Sequence, residues 1–264
     1  MRAFLLIADI GGYTRFMKVH RINLAHAQYI VAQLLEAVID GAGGFKLSKL
    51  EGDAAFFYAT MKSDADLLGY AKRIADIRRS FLQRREELTT DRLCTCDGCV
   101  QAGQLNLKFV AHEGEIAFQK IKRHTELAGV DVIFVHRLLK NSVPATEYVL
   151  MSDSVHRLLD DDLKKYAKEI AHELEGFGDT KQYWIDLVEI AKDLPPQLTT
   201  TTTKKFFAWL KMTWRSIPYF LGIKKACDGF RNLGELGILP PPIETTPSLL
   251  PPSMTTTPPP PSEK

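Results

Sequence analysis

The stretch Phe4-Leu5-Leu6-Ile7-Ala8-Asp9-Ile10 is almost uninterruptedly apolar, and Gly11-Gly12 ends it. Short apolar runs closed by glycine are typical of strands that are buried on both faces of a sheet. Asp9 is the exception, because a charged group in such a strand is costly unless it is exposed at the strand end or paired. The stretch therefore predicts a buried strand that ends in an exposed or paired carboxylate.

The rest of the chain predicts strands and helices in alternation. The first half is expected to hold a helix over 24–38, strands over 45–50 and 54–59 joined at Glu51-Gly52-Asp53, and a helix within 61–88. The second half is expected to hold a strand pair within 105–121 centred on His112-Glu113-Gly114, a helix over 130–139, a strand over 148–151, more helix over 153–173 and a last strand over 183–188. Two hairpins argue against a purely parallel sheet and favour an α+β or mixed α/β sandwich.

The composition is that of an ordinary globular protein: of 264 residues, 45% are hydrophobic and 25% are charged. The net charge of +2 offers no global attraction for nucleic acid, so we expect no nucleic-acid partner. The first apolar run is too short for a signal peptide, and no apolar stretch is long enough to span a membrane. Four cysteines do not resemble a secreted disulfide framework, so we expect a cytoplasmic protein.

The composition changes after residue 193, which predicts one main domain over 1–193 followed by appendages. We expect a linker over 194–203, a basic amphipathic helical segment over 204–239 and a disordered tail rich in proline and threonine over 240–264. Apolar residues on one helical face within 204–225 fit either a peripheral membrane contact or packing on the domain or a partner helix.

A cysteine cluster lies in a predicted insert over 89–104. Cys94, Cys96 and Cys99 place three thiols within six residues, which is enough to converge on a soft metal ion such as structural Zn²⁺. The alternative is a loop of free or redox-labile thiols.

Two carboxylates are predicted to lie at one edge of the sheet. Asp9 closes the first strand, and Asp53 lies at the hairpin tip. If the hairpin lies beside that strand, both side chains, with the backbone carbonyl of Ile10, suit Mg²⁺, which takes few protein ligands and completes its octahedron with phosphate oxygens. The alternative is that these aspartates bind only local backbone, as turn aspartates usually do.

Four blocks resemble the catalytic domain of class III nucleotide cyclases. They are Asp9-Ile10-Gly11-Gly12-Tyr13-Thr14, Lys49-Leu50-Glu51-Gly52-Asp53, His112-Glu113-Gly114-Glu115, and Arg137-Leu138 closing the segment that begins at Gly129. The blocks occur in the family's order over about residues 4–190. The resemblance implies an α+β fold with a ferredoxin-like mixed sheet and helices packed on it.

The resemblance also implies a role for each matching residue. Asp9, Ile10 and Asp53 would bind two Mg²⁺ or Mn²⁺ ions, Lys49 and Asp131 would read the base, and Arg137 would stabilise charge on the transferring phosphorus. The implied substrate is a nucleoside triphosphate, with ATP converted to cyclic AMP. The implied assembly is a homodimer in which each site takes half of its residues from either chain.

Two departures from the family leave two hypotheses open. Ile133 stands where the family has an asparagine, and Val130 stands where it has the base-reading aspartate, so that Asp131 comes one residue late. On a helix one residue is a rotation of about 100°. The chain is therefore either an adenylate cyclase or a catalytically degenerate nucleotide- and Mg²⁺-binding sensor or scaffold without turnover.

Overall fold

The structure is a computed structural model and describes residues 1–19, 24–90 and 101–193. The cysteine cluster, the linker, the basic helical segment and the Pro/Thr-rich tail lie outside the described residues, so what was predicted for them stays a prediction. No helix in the described ranges is long and apolar enough to cross a lipid bilayer.

Nine strands and seven α-helices are described within these ranges. In chain order they are β1 (Arg2–Gly11), α1 (Tyr13–Val19), α2 (Leu24–Gly41), β2 (Lys46–Glu51), β3 (Ala54–Thr60), α3 (Asp66–Thr90), β4 (Asn106–Glu115), β5 (Ala117–Ile121), β6 (His124–Ala128), α4 (Val130–Leu138), β7 (Tyr148–Ser152), α5 (Asp153–Leu158), α6 (Asp161–Lys164), β8 (Lys168–Leu174), β9 (Gly178–Asp186) and α7 (Leu187–Asp193).

Seven of the strands form one mixed sheet in the order β2-β3-β1-β4-β7-β9-β8. β4 and β7 are parallel, and the other neighbouring pairs in this sheet are antiparallel. β5 and β6 pair separately as a two-stranded antiparallel ribbon. A large mixed sheet with helices packed on it confirms the predicted α+β fold class.

β1 lies inside the sheet, and its side chains alternate between two hydrophobic clusters. Phe4, Leu6 and Ala8 are buried in a cluster that includes the apolar stripes of α2 and α3. Leu5 and Ile7 point to the other face, into a cluster that includes Val132, Val135 and Leu138 of α4. Burial on both faces explains why the run is nearly free of polar residues.

The sequence prediction was wrong at β4. No turn forms at His112-Glu113-Gly114, because β4 continues to Glu115 and pairs with β1 along its whole length, from Gly11↔Asn106 to Arg2↔Glu115. The hairpin comes later, as the ribbon β5–β6. A ladder of ten residue pairs outweighs the local turn preference of one glycine.

The prediction of helix throughout 153–173 was also wrong. Only the short helices α5 and α6 form there, and Lys168–Leu174 is a strand paired with β9. Ile170 and Leu174 point to the α4 face of the sheet and pack in that cluster. The gain from this alternating burial overrides the helical propensity of the glutamate, lysine and alanine residues in the segment.

Candidate functional site

Asp9 and Asp53 come together at the end of β1. The β1–β3 ladder runs to the pair Asp9↔Ala54, so Asp53 lies one residue beyond it in the turn between β2 and β3. The backbone N–H of Ile10 donates a 3.1 Å hydrogen bond to the carbonyl of Asp53 and fixes that turn against β1. Gly52 has φ +65°, a conformation that glycine adopts without strain.

The side chain of Asp9 affects the ionisation of Asp53. Burial is the largest cause and the negative charge of Asp9 the next, and together they raise the pKa of Asp53 from 3.8 to about 6. A hydrogen bond between the two side chains acts in the same direction. Two half-buried carboxylates that share a hydrogen bond favour a bound cation, because a cation offsets both the burial and the repulsion that favour the protonated form of Asp53.

Lys108 is the cation found at this pair, and sequence reasoning did not identify it. It lies directly opposite Asp9 in the β1–β4 ladder, and its Nζ is 2.9 Å from Oδ2 of Asp9. Burial lowers the pKa of Lys108, but the hydrogen bond and charge of Asp9 outweigh burial, so the net pKa is raised. The only signal in the sequence is that Lys108 interrupts an apolar strand, and its partner depends on the strand register.

The donor set fits a hard divalent ion better than zinc. In the part of the chain that the structure describes, no three His, Cys, Asp or Glu side chains converge as a metal-binding cluster. Two carboxylates and a nearby backbone carbonyl leave most of an octahedron open, which is the arrangement in which Mg²⁺ or Mn²⁺ takes water and phosphate oxygens. Asp9, Ile10 and Asp53 could hold such an ion.

Lys49 lies on the other side of the hairpin, close to α4. Its Nζ is 2.5 Å from Oε1 of Glu51, and Oε2 of Glu51 is 3.4 Å from Nδ1 of His136. Lys49 also borders a cavity of about 300 Å³ between the hairpin and the ribbon, lined by Ser48, Lys49, Phe56, Arg123, His124, Thr125, Glu126 and Leu127. The structure thus brings the predicted base-reading lysine next to α4.

The carboxylate of Asp131, predicted to read the nucleotide base, has hydrogen-bond partners within the chain. One of its oxygens accepts a hydrogen bond from the backbone N–H of Glu115 at 2.6 Å, and the other lies 3.0 Å from Nε2 of His112. Nδ1 of His112 lies 2.9 Å from Oγ of Ser152. Both carboxylate oxygens of Asp131 are therefore engaged in holding α4 to the sheet.

The other predicted positions on α4 face outward. Arg137 donates a hydrogen bond to Glu175, between β8 and β9. Val130 and Ile133 are 67% and 54% exposed. None of the bonds described for Lys49, Asp131 and Arg137 within the described residues involves Asp9 or Asp53, so one chain presents two separate groups of predicted site residues.

Sequence comparison finds relatives of undetermined function. A family model described as "Protein of unknown function (DUF2652)" matches residues 31–148. An uncharacterized protein of Mycobacterium tuberculosis (strain ATCC 25618 / H37Rv), Rv2561/Rv2562, is 49% identical over 208 residues, which cover 77% of this chain and 95% of the relative.

Structure comparison finds nucleotide cyclases. The adenylyl cyclase CyaB from P. aeruginosa superposes with a TM-score of 0.50 at 14% identity, over 70% of this chain and 93% of that one. The guanylyl cyclase Cya2 gives 0.54 at 12% identity, over 70% and 91%. The catalytic core of a rhodopsin-guanylyl cyclase with converted specificity, in complex with ATPαS, gives 0.50 at 17% identity, over 70% and 94%. The chain therefore has a cyclase-like fold.

Proposed function

We propose that this chain, which belongs to the same protein family as Rv2561/Rv2562 of Mycobacterium tuberculosis, binds a nucleoside triphosphate through divalent metal ions held by Asp9 and Asp53. We propose further that it is a candidate adenylate cyclase. The observation that supports this best is the placement of the two carboxylates: they meet at the end of β1 in a cyclase-like sheet, where burial and the charge of Asp9 raise the pKa of Asp53 to about 6.

The chain's own residues would bind and orient the substrate. Asp9 and Asp53, with the carbonyl of Ile10, would hold Mg²⁺ or Mn²⁺, which when bound neutralises phosphate charge and favours in-line displacement at phosphorus. Lys49 and Arg137, contributed by a second copy of the chain, would contact the base and the transferring phosphoryl group. The homodimer follows from the family resemblance and from the separation of the two residue groups within one chain.

Nucleotide binding without turnover is the second candidate, and α4 supports it. Asp131 is committed to the N–H of Glu115 and to His112, so it is not free to read a base. Ile133 is exposed where the family resemblance expects an asparagine, and a hydrocarbon side chain cannot donate the missing hydrogen bond. Loss of one oriented donor costs about 10²–10³-fold in rate at comparable sites.

We make three further proposals, on the cysteine cluster, on the segment 204–225 and on the location of the protein. Structural Zn²⁺ at Cys94, Cys96 and Cys99 and a peripheral membrane contact through 204–225 rest on residue pattern alone. A cytoplasmic location rests on composition.

The experiment measures two quantities on the full chain. The first is cyclic nucleotide formed from ATP and GTP with Mn²⁺ and with Mg²⁺, and the second is binding of the same nucleotides with and without the metal. Variants are Asp53→Asn and a control, Asp179→Asn, which changes an exposed aspartate at the start of β9.

Cyclic product that is lost in Asp53→Asn and kept in Asp179→Asn would support a cyclase. Metal-dependent binding without product would support the second candidate. Binding that is independent of metal, or unchanged in Asp53→Asn, would contradict both.

A further inference from the structure

His112 is a buried histidine with a polar partner on each side of its ring. The residue lies on β4 and is 7% exposed. Its Nε2 is 3.0 Å from Oδ1 of Asp131 on α4, and its Nδ1 is 2.9 Å from Oγ of Ser152 at the end of β7. The proposed binding of metal and nucleotide gives this histidine no role.

The contacts continue from Ser152 through a second hydroxyl group. Its Oγ is 2.8 Å from Oγ of Ser154, in the first turn of α5. The hydroxyl of Ser154 donates a 3.1 Å hydrogen bond to the backbone carbonyl of Glu113. Four contacts in series therefore join α4, β4, β7 and α5: Asp131 to Nε2, Nδ1 to Ser152, Ser152 to Ser154, and Ser154 to the carbonyl of Glu113.

Each of these contacts needs one proton between its two heavy atoms, and a neutral ring leaves the series one proton short. A neutral imidazole carries one N–H and each serine carries one O–H, whereas an ionised carboxylate and a carbonyl only accept. Three protons cannot fill four contacts, whichever ring nitrogen is protonated. A second proton on the ring of His112 fills all four.

The charged groups around the ring determine at which pH it takes up that proton. Burial lowers the pKa of His112, and the hydrogen bond and charge of Asp131 and the charge of Glu113 oppose this larger effect. Glu113 is itself paired with Arg2, with 2.6 Å between Oε1 and Nε. On α4, the uncharged ring of Phe134 packs on the imidazole with 4.6 Å between the centroids. Because burial prevails, the ring can release its second proton.

We propose that His112 and Asp131 form a proton-binding site that connects α4 and α5 to the end of β4. With the proton bound, the imidazolium pairs with the carboxylate and donates to Ser152, which completes the series. With the proton released, the carboxylate keeps the remaining ring proton on Nε2, because that bond is charge-assisted. Ser152 then donates to Nδ1, and its contact with Ser154 is lost.

The test follows the ring nitrogens of His112 by NMR of the full chain, labelled with ¹⁵N at histidine, over a pH titration. Nitrogen shifts distinguish the imidazolium from the two neutral tautomers. The signal of His112 is the one that is missing in His112→Asn. Should that variant not fold, the signal is the one that shifts most in Phe134→Leu, because this ring packs on the imidazole.

The comparison is between wild type, Ser154→Ala and a control, Ser142→Ala. The control also removes a serine hydroxyl that touches a histidine, because Oγ of Ser142 is 3.1 Å from Nε2 of His172. That nitrogen keeps the backbone N–H of Ser142 as a partner in the variant.

Ser154→Ala should lower the proton affinity of His112 about tenfold, which is the effect of one net hydrogen bond. The variant loses one proton and two contacts, so a neutral ring and Ser152 fill the two contacts that remain. The neutral form of His112 should carry its proton on Nε2 in both proteins. Ser142→Ala should leave the titration of His112 unchanged.

A proton affinity that is equal in wild type and Ser154→Ala would overturn the proposal, because the hydroxyl groups would then be independent of the ring. An equal change in Ser142→Ala would overturn it as well, since the effect would not be specific to this series. A neutral form with its proton on Nδ1 would contradict the role given to Asp131.

Discussion

The backbone N–H of Glu115, at the end of β4, donates a 2.6 Å hydrogen bond to Oδ2 of Asp131 in the first turn of α4. This bond connects the inner part of the sheet to the helix that carries Ile133 and Arg137. His112 completes the connection, because its two ring nitrogens contact Asp131 and Ser152. Beside the apolar packing of α4, its polar connection to β4 therefore centres on one carboxylate.

Replacing Asp131 by alanine is expected to destabilise the fold. The change leaves the N–H of Glu115 and Nε2 of His112 without their partner, and the loss of a charge-assisted hydrogen bond of this kind costs about 2–3 kcal/mol. Urea denaturation measures the free energy of unfolding.

Asp153→Ala is the matched control. Asp153 lies in the first turn of α5, and its side chain is 32% exposed against 33% for Asp131, but within the described ranges it forms an ion pair with Arg157 one turn away and no bond to the sheet. Its loss is expected to cost less than about 1 kcal/mol. Equal costs for the two variants would show that Asp131 is not a special link.

Gly114→Ala is expected to disturb the same connection from the side of β4. A Cβ at Gly114 would lie 2.3 Å from Cγ of Asp131, so the helix or the aspartate would have to move. Overpacking of this kind costs about 1–3 kcal/mol.

Gly69→Ala is a control for which the opposite change in stability is expected. Nothing lies within 4 Å of a Cβ at this position of α3, and alanine should stabilise that helix by about 0.5–1 kcal/mol. Thermal unfolding of both variants checks the prediction, and a neutral Gly114→Ala would contradict it.

Arg78→Met is expected to be more damaging than Arg79→Met, although the two residues are adjacent in α3. Arg78 donates two hydrogen bonds to Glu147, whose side chain is only 6% exposed, whereas Arg79 pairs with Asp76 and is itself 54% exposed. Removing one partner of a buried pair costs about 2–3 kcal/mol here, since Arg85 remains 3.6 Å from Glu147. The surface pair should cost less than about 1 kcal/mol. Similar unfolding free energies for the two variants would contradict this assignment.

The raised pKa of Asp53 predicts how stability depends on pH. The native carboxyl titrates at about 6 and the ordinary value is 3.8, so between about pH 4 and pH 6 the native state holds a proton that the unfolded chain has released. The contribution of Asp53 to the free energy of unfolding therefore falls as pH rises through this window. Asp53→Asn should stabilise the chain more at pH 7.5 than at pH 4.5. Denaturation at both pH values measures this, with Asp179→Asn as a control that should show no such difference.

Ile133→Asn tests whether the missing amide limits turnover. Ile133 is 54% exposed, so the change should leave the fold intact. If the chain is a cyclase, an amide at this position should raise the rate of cyclic-product formation, by about 10²–10³-fold if it restores the full effect of the missing donor. Val188→Asn changes an exposed apolar residue of α7 and should have no effect. An unchanged rate in Ile133→Asn would show that the donor is supplied elsewhere.

The meeting of Asp9 and Asp53 could be predicted from the sequence because both signals are local. An apolar run ending in Asp9 and a turn at Glu51-Gly52-Asp53 between two apolar segments each lie within a few neighbouring residues. Lys108 could not be paired with Asp9 in this way. The residue of β4 that faces Asp9 is fixed by a register between segments far apart in the chain.

Gly114 was misread for a related physical reason. A glycine after His112-Glu113 favours a turn if only the local sequence is considered. In the structure it lies within β4, and the space that its side chain would occupy is taken by Asp131 of a later helix. The need for glycine at this position comes from its packing against a distant helix, and such a need leaves no pattern in the neighbouring sequence.

The inner position of β1 has a consequence for biosynthesis. Its ladder with β4 joins residues separated by on the order of 100 positions, and such long-range closures are slow to form. During synthesis, the apolar segment 4–8 can pair with β3 on one side, but its pairing with β4 on the other side must follow the translation of β4. During elongation the nascent chain therefore exposes an apolar strand that is paired on one side only. Such a strand favours aggregation, and a chaperone that binds at the ribosome would protect it.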